Sequence, residues 1–275
     1  MIKRKIPSTG EKLPVLGLGT WNTFDVADKS SMEPLNHVLQ IMQVAGGKLI
    51  DSSPMYGNSE MVIGELTADP KWSNYFFYAT KVWTTGKQEG IRQMESSFQK
   101  IKRSTMDLMQ IHNLTDWKTH LQTLKAWKSE GKIRYIGITH YIDSAHEDLE
   151  RILISEEGID FVQFNYSIFS RNAEKRLLKV AADRGVATLI NRPLGQGNAF
   201  SSVQNKQLPS WADEYSIKTW SQFFLLYIIS NPAVTVVIPA TANPAHASEN
   251  FNIASTELPD QAFREKMAIF IENKE

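Results

Sequence analysis

The chain contains no cysteine. Disulfides, Cys-ligated zinc or iron–sulfur centres and thiol nucleophiles are thereby excluded. It also lacks an excess of charge of either sign, because 30 Lys and Arg balance 30 Asp and Glu. No global field draws it toward nucleic acid or an anionic membrane. Polybasic runs and acidic tails are missing as well. No stretch reaches the ~20 uninterrupted apolar residues of a bilayer span. The nearest, "SQFFLLYIISNPAVTVVIP", is split by Asn231 and Pro232 into a helix and a strand. The start, "MIKRKIPSTGEKLP", is basic but carries no apolar core of ~7–15 residues as in a signal peptide. The expectation is a cytoplasmic protein whose partner is a small molecule, neither nucleic acid nor membrane.

What is present suits one domain over residues 1–275, since 42% hydrophobic content in a chain of this length can fill a substantial core. Two periods alternate from Val15 onward. The apolar runs "VLGL", "GKLI", "YFFYAT", "DLMQI", "IRYIGI", "DFVQF", "GVATLI" and "VTVVI" have the length of strands buried on both faces. Helical segments lie between them. Ile91, Met94, Phe98 and Ile101 make one apolar stripe, and Trp117, Leu121, Leu124 and Trp127 make another. Asp116 is placed to cap the second helix and Gly131 to end it. Eight strands alternating with helices, at about 30 residues per unit, imply parallel pairing with right-handed crossovers. A (β/α)8 TIM barrel fits better than an open sheet. The competing dinucleotide-binding sheet would need a third glycine after "GLGTWN", and none is there. "STGEK" between "KRKI" and "LPVL" reads as the turn of an N-terminal β-hairpin that plugs the barrel bottom. Residues 192–216 show no clear period, and a loop this long in a compact domain is usually functional.

Residues just past the C-terminal ends of barrel strands converge on one mouth. Three consecutive strands end in ionisable groups: Asp51 after "GKLI", Lys81 after "FFYAT" and His112 after "LMQI", with Tyr56 in the loop behind Asp51. Neighbouring strands lie about 4.8 Å apart, so the four groups can meet. An ammonium beside a phenol stabilises the phenolate. Lowering the phenol pKa from its usual ~10 by about 2–3 takes roughly 3–4 kcal/mol. A carboxylate can hold that ammonium charged, and an imidazole adds a donor where charge develops on oxygen. Such a relay suits protonation of a carbonyl oxygen while hydride from a nicotinamide attacks the carbon. Each group alone has an ordinary structural reading as an ion pair, a surface ring or a core histidine.

At these residues the sequence resembles the aldo-keto reductase family. "LPVLGLGTWN", "GGKLIDSSPMYGNSEMVIGEL", "FFYATKVW", "MDLMQIHN", "KSEGKIRYIGIT", "DFVQFNYS", "RPLGQG" and "VIPATANPAHASEN" fall in the family's order and near its spacing. The resemblance runs almost end to end. It implies a TIM barrel with an N-terminal hairpin and a C-terminal extra helix, and NAD(P)H-dependent reduction of an aldehyde or ketone. The implied catalytic residues are Asp51, Tyr56, Lys81 and His112, with Tyr56 the proton donor.

The resemblance also implies a cofactor trail for NADPH, with NADH possible. Nicotinamide contacts map to Thr139, His140 and Gln163, with Thr20, Trp21, Asp51 and Asn191 around them. The pyrophosphate maps to the loop of Arg192, Pro193, Leu194 and Gln196. The adenosine end maps to Ile238, Ala240, Thr241, His246, Glu249 and Asn250. Ala240 and His246 stand where the family usually offers Lys and Arg to a 2′-phosphate, which weakens the case for NADPH over NADH. Asn191 replaces an aromatic that stacks on the nicotinamide. Arg192 is placed either to reach the pyrophosphate or to pair with a surface acid. Substrate contacts map to Trp21, Tyr56, Trp83, His112 and Asn113, the last replacing a tryptophan and leaving a wider or more polar pocket. Phe200 and Trp211 in the long loop are candidates for a lid.

A small carbonyl substrate, a monomer and no metal site are the expected partners and state. Two other readings stay open on sequence. One is a non-catalytic nucleotide-binding subunit built on the same barrel. The other is Schiff-base chemistry on Lys81, which leaves Tyr56 without a task.

Overall fold

The structure is a computed structural model that describes residues 1–255 and 257–273. Its first elements are β1 (Lys3–Lys5) and β2 (Lys12–Pro14), an antiparallel hairpin pairing Lys3 with Pro14 and Lys5 with Lys12. The eight apolar runs then form β3 (Leu18–Gly19), β4 (Leu49–Asp51), β5 (Phe77–Val82), β6 (Met106–His112), β7 (Ile133–Thr139), β8 (Phe161–Asn165), β9 (Ala187–Asn191) and β10 (Val236–Val237). All are parallel, and neighbours in sequence are neighbours in the sheet. Parallel bridges of Leu16 with Val237 and of Gly19 with Ala240 bring the last strand back beside the first. The expected (β/α)8 barrel is therefore present. β3 and β10 have only two residues each, shorter than their apolar runs suggested. They meet at the seam, where Gly17, Gly19 and Val237 donate backbone hydrogen bonds across the closure.

Helices fill the crossovers: α1 (Lys29–Val44), α2 (Ser59–Leu66), α3 (Pro70–Ser73), α4 (Lys87–Ile101), α5 (Trp117–Ser129), α6 (His146–Ser155), α7 (Leu177–Asp183), α8 (Asn198–Ser201), α9 (Trp220–Ile229), α10 (Pro244–Asn252) and α11 (Gln261–Glu272). The last is the C-terminal extra helix. Met94 and Ile101 of α4 and Leu121, Leu124 and Trp127 of α5 bury the stripes read from sequence. Gly131 ends α5 at φ +74°. Asp116 makes no cap; its carboxylate instead accepts from the Gly86 N–H at 2.8 Å, because a left-handed backbone at φ +44° turns it away. Among the described residues, no helix is long and apolar enough to cross a membrane.

The barrel interior explains where the site lies. Successive strand residues face opposite sides, so one parity of each strand fills the barrel. Leu49, Phe77, Ala79, Leu108, Tyr135, Phe161, Ala187, Leu189, Val236 and Ile238 form that filling, joined from below by Ile6 and Leu13 of the hairpin. The hairpin is thus the bottom plug. Its turn is tied to the barrel by the Tyr135 hydroxyl, which lies 2.8 Å from Thr9 Oγ1 and donates to Glu11 at 2.6 Å. Continuing the same parity upward gives Asp51, Lys81, Gln110 with His112, Thr139, Gln163 and Asn191. An apolar barrel therefore carries a polar layer at its C-terminal mouth.

Candidate active site

Asp51 ends β4, Lys81 is the fifth residue of β5 and His112 ends β6. Tyr56 reaches them from a turn in which its N–H bonds Ser53 O at 3.0 Å. Gly57 follows at φ +58°, and a Cβ there would lie 2.3 Å from the Asp25 carboxylate. That carboxylate accepts from the Asn58 N–H at 2.8 Å and clamps the turn from outside. Only glycine satisfies both the backbone angle and the close approach.

Lys81 is fully buried, and its ammonium is held by two short hydrogen bonds. Nζ donates to Asp51 Oδ2 at 2.6 Å and to Ser52 O at 2.6 Å. Beside it stands Tyr56, with the ammonium 5.0 Å from the centre of its ring. An ammonium offers donors and no acceptor, so the phenol's own hydrogen remains available to the cleft. Asp51 uses its second oxygen to accept from Gln110 Nε2 at 2.8 Å. Gly137 on the next strand makes room for Gln110, since a Cβ there would stand 2.7 Å from Gln110 Cγ.

Burial alone would strip the Lys81 proton, but Asp51 and Tyr56 more than reverse this and hold the ammonium above its ordinary range. Tyr56 departs from expectation. Burial pushes its phenol above the usual range, and the downward pull of Lys81 does not overcome it, partly because Asp51 pushes the other way. The phenol is thus a firmly protonated donor whose conjugate base Lys81 stabilises. His112 is pushed down to about 2, by burial first and then by Lys81 and His140, so its imidazole is neutral. Its Nδ1 lies 3.0 Å from Ser53 Oγ, and that oxygen accepts from the Met55 N–H at 3.4 Å. The Ser53 hydrogen is then free to go to Nδ1, which leaves the imidazole hydrogen on Nε2. The His112 and Tyr56 rings meet edge to face with centroids 5.9 Å apart.

These groups form the floor of a cleft of about 960 Å³. Of the residues expected at the site, Thr20, Trp21, Asp51, Tyr56, Trp83, His112, Asn113, Thr139, Gln163, Asn191, Arg192, Pro193, Leu194, Gln196, Ile238, Ala240, Thr241, His246, Glu249 and Asn250 all line it. Lys81 lies behind Tyr56 without reaching the surface. His140 is the exception. Its Nδ1 accepts from the Tyr141 N–H at 2.9 Å and its ring stacks on Tyr141, so its side chain is not in the lining. Its carbonyl instead accepts from Asn191 Nδ2 at 3.0 Å. Trp21 and Trp83, each about two-fifths exposed, both stand at the mouth (41% and 42%). In the long loop Phe200 lines the cleft, whereas Trp211 turns away to pack on Phe263 and Phe270 of α11. Arg192 pairs with no surface acid among the described residues; its guanidinium lies 4.2 Å from the centre of the Tyr141 ring.

Two unpaired polar atoms test whether a nicotinamide fits. Gln163 Oε1 is occupied by the Thr139 hydroxyl at 2.8 Å, which leaves Gln163 Nε2 a buried donor without a partner. Asn191 Oδ1 is a buried acceptor without one. Both atoms belong to cleft-lining residues. A buried unpaired polar group costs about 1–3 kcal/mol, and a primary carboxamide offers both the acceptor and the donor that would satisfy the two. The residues present fit the group.

Sequence reasoning missed several participants. Gln110 and Ser53 position Asp51 and His112; strand parity and the Ser-rich turn after Asp51 were the available signals. Thr219, Trp220 and Ser221 at the start of α9 line the cleft beside α10. There the Ser221 hydroxyl bonds Asn250 Oδ1, and Gln222 Nε2 bonds Glu249 O at 3.1 Å. Tyr141 also lines the cleft.

A parallel barrel with a phenol and a neutral imidazole at its mouth, and a charged lysine with its carboxylate buried behind them, has the groups expected of an oxidoreductase of carbonyl and alcohol groups. A model of the aldo/keto reductase family matches residues 15–269, and the chain belongs to that family. It is 24% identical over 258 residues to an aldo-keto reductase of Mycobacterium sp. (strain KMS), covering 92% of this chain and 87% of that one. It is 27% identical over 255 residues to methylglyoxal reductase DkgA of Yersinia pestis, with 90% and 86% covered. Among solved structures, an aldo-keto reductase from Klebsiella pneumoniae in complex with NADPH superposes with a TM-score of 0.82 at 22% identity, covering 98% of this chain and 96% of that one.

Proposed function

We propose that the protein reduces an aldehyde or ketone to the alcohol, taking hydride from NADPH or NADH and the proton from Tyr56. The observation that carries this reading is the buried, ion-paired Lys81 ammonium beside Tyr56. Held by Asp51 and Ser52, it offers the phenol no acceptor and so leaves the phenol proton to the cleft. A bound nicotinamide would supply the hydride, with Gln163 and Asn191 holding its carboxamide. The chain's own residues do the rest. Tyr56 gives its proton to the carbonyl oxygen, and Lys81 neutralises the phenolate that forms. Neutral His112 donates from Nε2 to the same oxygen and orients it. Bond changes balance: hydride adds to carbon, the C=O π pair moves to oxygen, and the phenol hydrogen completes the alcohol. The test is consumption of reduced nicotinamide with a panel of aldehydes; a protein that binds the nucleotide but consumes none would sink the reading.

The cofactor's two forms should be poorly distinguished. No Lys or Arg occurs between Lys218 and Arg264, the span that holds Thr241, His246, Glu249 and Asn250. Without a charge-assisted clamp from this segment, titration by tryptophan quenching is expected to give Kd values for NADPH and NADH within about tenfold of each other. A preference for NADPH above about a hundredfold would show that cations from elsewhere hold the 2′-phosphate.

The pH profile follows from the two shifts. A general acid works while protonated, so its rate falls as pH rises through its pKa. With Tyr56 held above its usual ~10, kcat for reduction should stay level between about pH 6 and 9. His112 neutrality predicts no inflection near the ordinary imidazole value of about 6.5. A sigmoidal change there, absent in His112→Gln, would contradict a neutral imidazole.

A further inference from the structure

His120 is a buried imidazole with no part in the relay. It lies on α5, wholly out of water, and its Nε2 donates to the Thr84 carbonyl at 2.7 Å. Its Nδ1 is buried and has no partner among the described residues, a cost that an apolar side chain at this position would avoid. Helix α4 even makes way for the ring, since a Cβ at Gly90 would stand 2.7 Å from His120 Nδ1. A histidine accommodated in this way serves a single hydrogen bond, and that bond goes to the loop after β5.

Two further side chains hold the same loop. Gln93 of α4 grips Trp83 by both backbone groups: its Oε1 accepts from the Trp83 N–H at 2.6 Å, and its Nε2 donates to the Trp83 carbonyl at 3.1 Å. Asp116, just before α5, accepts from the Gly86 N–H at 2.8 Å. Four backbone groups between residues 83 and 86 are thus tied by three side chains. Gln93, Asp116 and His120 are all outside the cleft lining. Trp83 is in it, and its indole stands beside His112 with ring centroids 6.3 Å apart.

We infer that Gln93 and His120, neither of which lines the cleft, fix Trp83 as a rigid wall and thereby set a preference for carbonyl compounds with a flat aromatic body. A wall already held in place loses little freedom when a ring packs on it, so more of the contact appears as binding. Both residues act through Trp83 and are positioning residues. The inference rests on the reductase reading and adds to it what selects the body of the aldehyde.

The test compares kcat/KM for benzaldehyde and propionaldehyde with NADPH at saturation. Wild type should favour benzaldehyde, and Trp83→Ala should cut the ratio by about tenfold or more. Gln93→Ala and His120→Leu should each lower it by about 3- to 10-fold, the range for losing one or two hydrogen bonds, and chiefly through KM. Gln93→Glu still accepts from the Trp83 N–H, and His120→Gln still offers a donor, so each should recover part of the ratio. In a Trp83→Ala background, neither Gln93→Ala nor His120→Leu should change the ratio further. A further fall there overturns the inference, as does a ratio within about twofold of wild type in either single variant.

Amide hydrogen exchange judges the loop separately from turnover. His120→Leu should speed exchange of the Trp83 and Gly86 N–H groups by at least about tenfold, although their own acceptors, Gln93 and Asp116, remain. Unchanged exchange overturns the clamp. Accelerated exchange with neither aldehyde turned over removes the reductase reading and leaves the clamp standing.

Discussion

Tyr56→Phe is expected to lower kcat for carbonyl reduction by about 10³- to 10⁴-fold, toward the upper range for loss of a positioned general acid. The loss should be that large because no other group can take over. Lys81 is wholly buried behind the ring, and neutral His112 would have to become an imidazolate to give up its hydrogen. The change removes one oxygen from a half-buried ring, so the turn held by Gly57 and Asp25 should persist. Reduced-nucleotide binding should stay within a few-fold of wild type, since the carboxamide partners proposed above are Gln163 and Asn191 rather than Tyr56. Single-turnover kinetics with a fluorescence titration separate the two quantities. A variant that keeps more than about a tenth of the wild-type rate would remove Tyr56 from the role of donor.

The second large effect is expected from Lys81→Met. The methionine fills similar space, but Asp51 is left buried with one oxygen unpaired. Side-chain exposures of 0% for Lys81 and 4% for Asp51 place this ion pair out of water. Removing one member of such a pair typically costs about 3–5 kcal/mol. Denaturant unfolding should therefore show a loss of that order, alongside a fall in kcat of at least about 10²-fold. Adding Asp51→Asn should return most of the stability, because the stranded charge is gone, while the activity stays low. Recovery of both together would mean that the pair serves only the fold.

Much of this site was legible before any coordinates. Short apolar runs separated by amphipathic stripes gave the barrel, because strands buried on both faces need no other signal. The ionisable groups ending consecutive strands had to converge once the barrel closed. What local pattern does not carry is through-space competition. Lys81 was rightly placed beside Tyr56, yet the sign of the phenol's shift depends on how completely the site is dried and on Asp51 pushing back. Asp116 stood in a capping position but was claimed by Gly86 from another loop. His140 turned to its own neighbour, Tyr141, and so left the lining. Gln110 escaped notice because an amide inside an apolar run gives no sign of which buried charge it will meet. That Arg192 pairs with no carboxylate among the described residues is likewise a property of the assembled mouth.

The stopper made by Ile6 and Leu13 has a consequence for proton traffic. Beneath Asp51 and Lys81 lie only hydrocarbon and aromatic layers closed off by the hairpin, so bulk water has no approach from that end. In the proposed reaction the amine and its acid are a blind alley: they would steady the departing charge but could not refill the phenol from solvent. The missing hydrogen would then have to come back across the open mouth, which would tie recharging to the moment the product leaves.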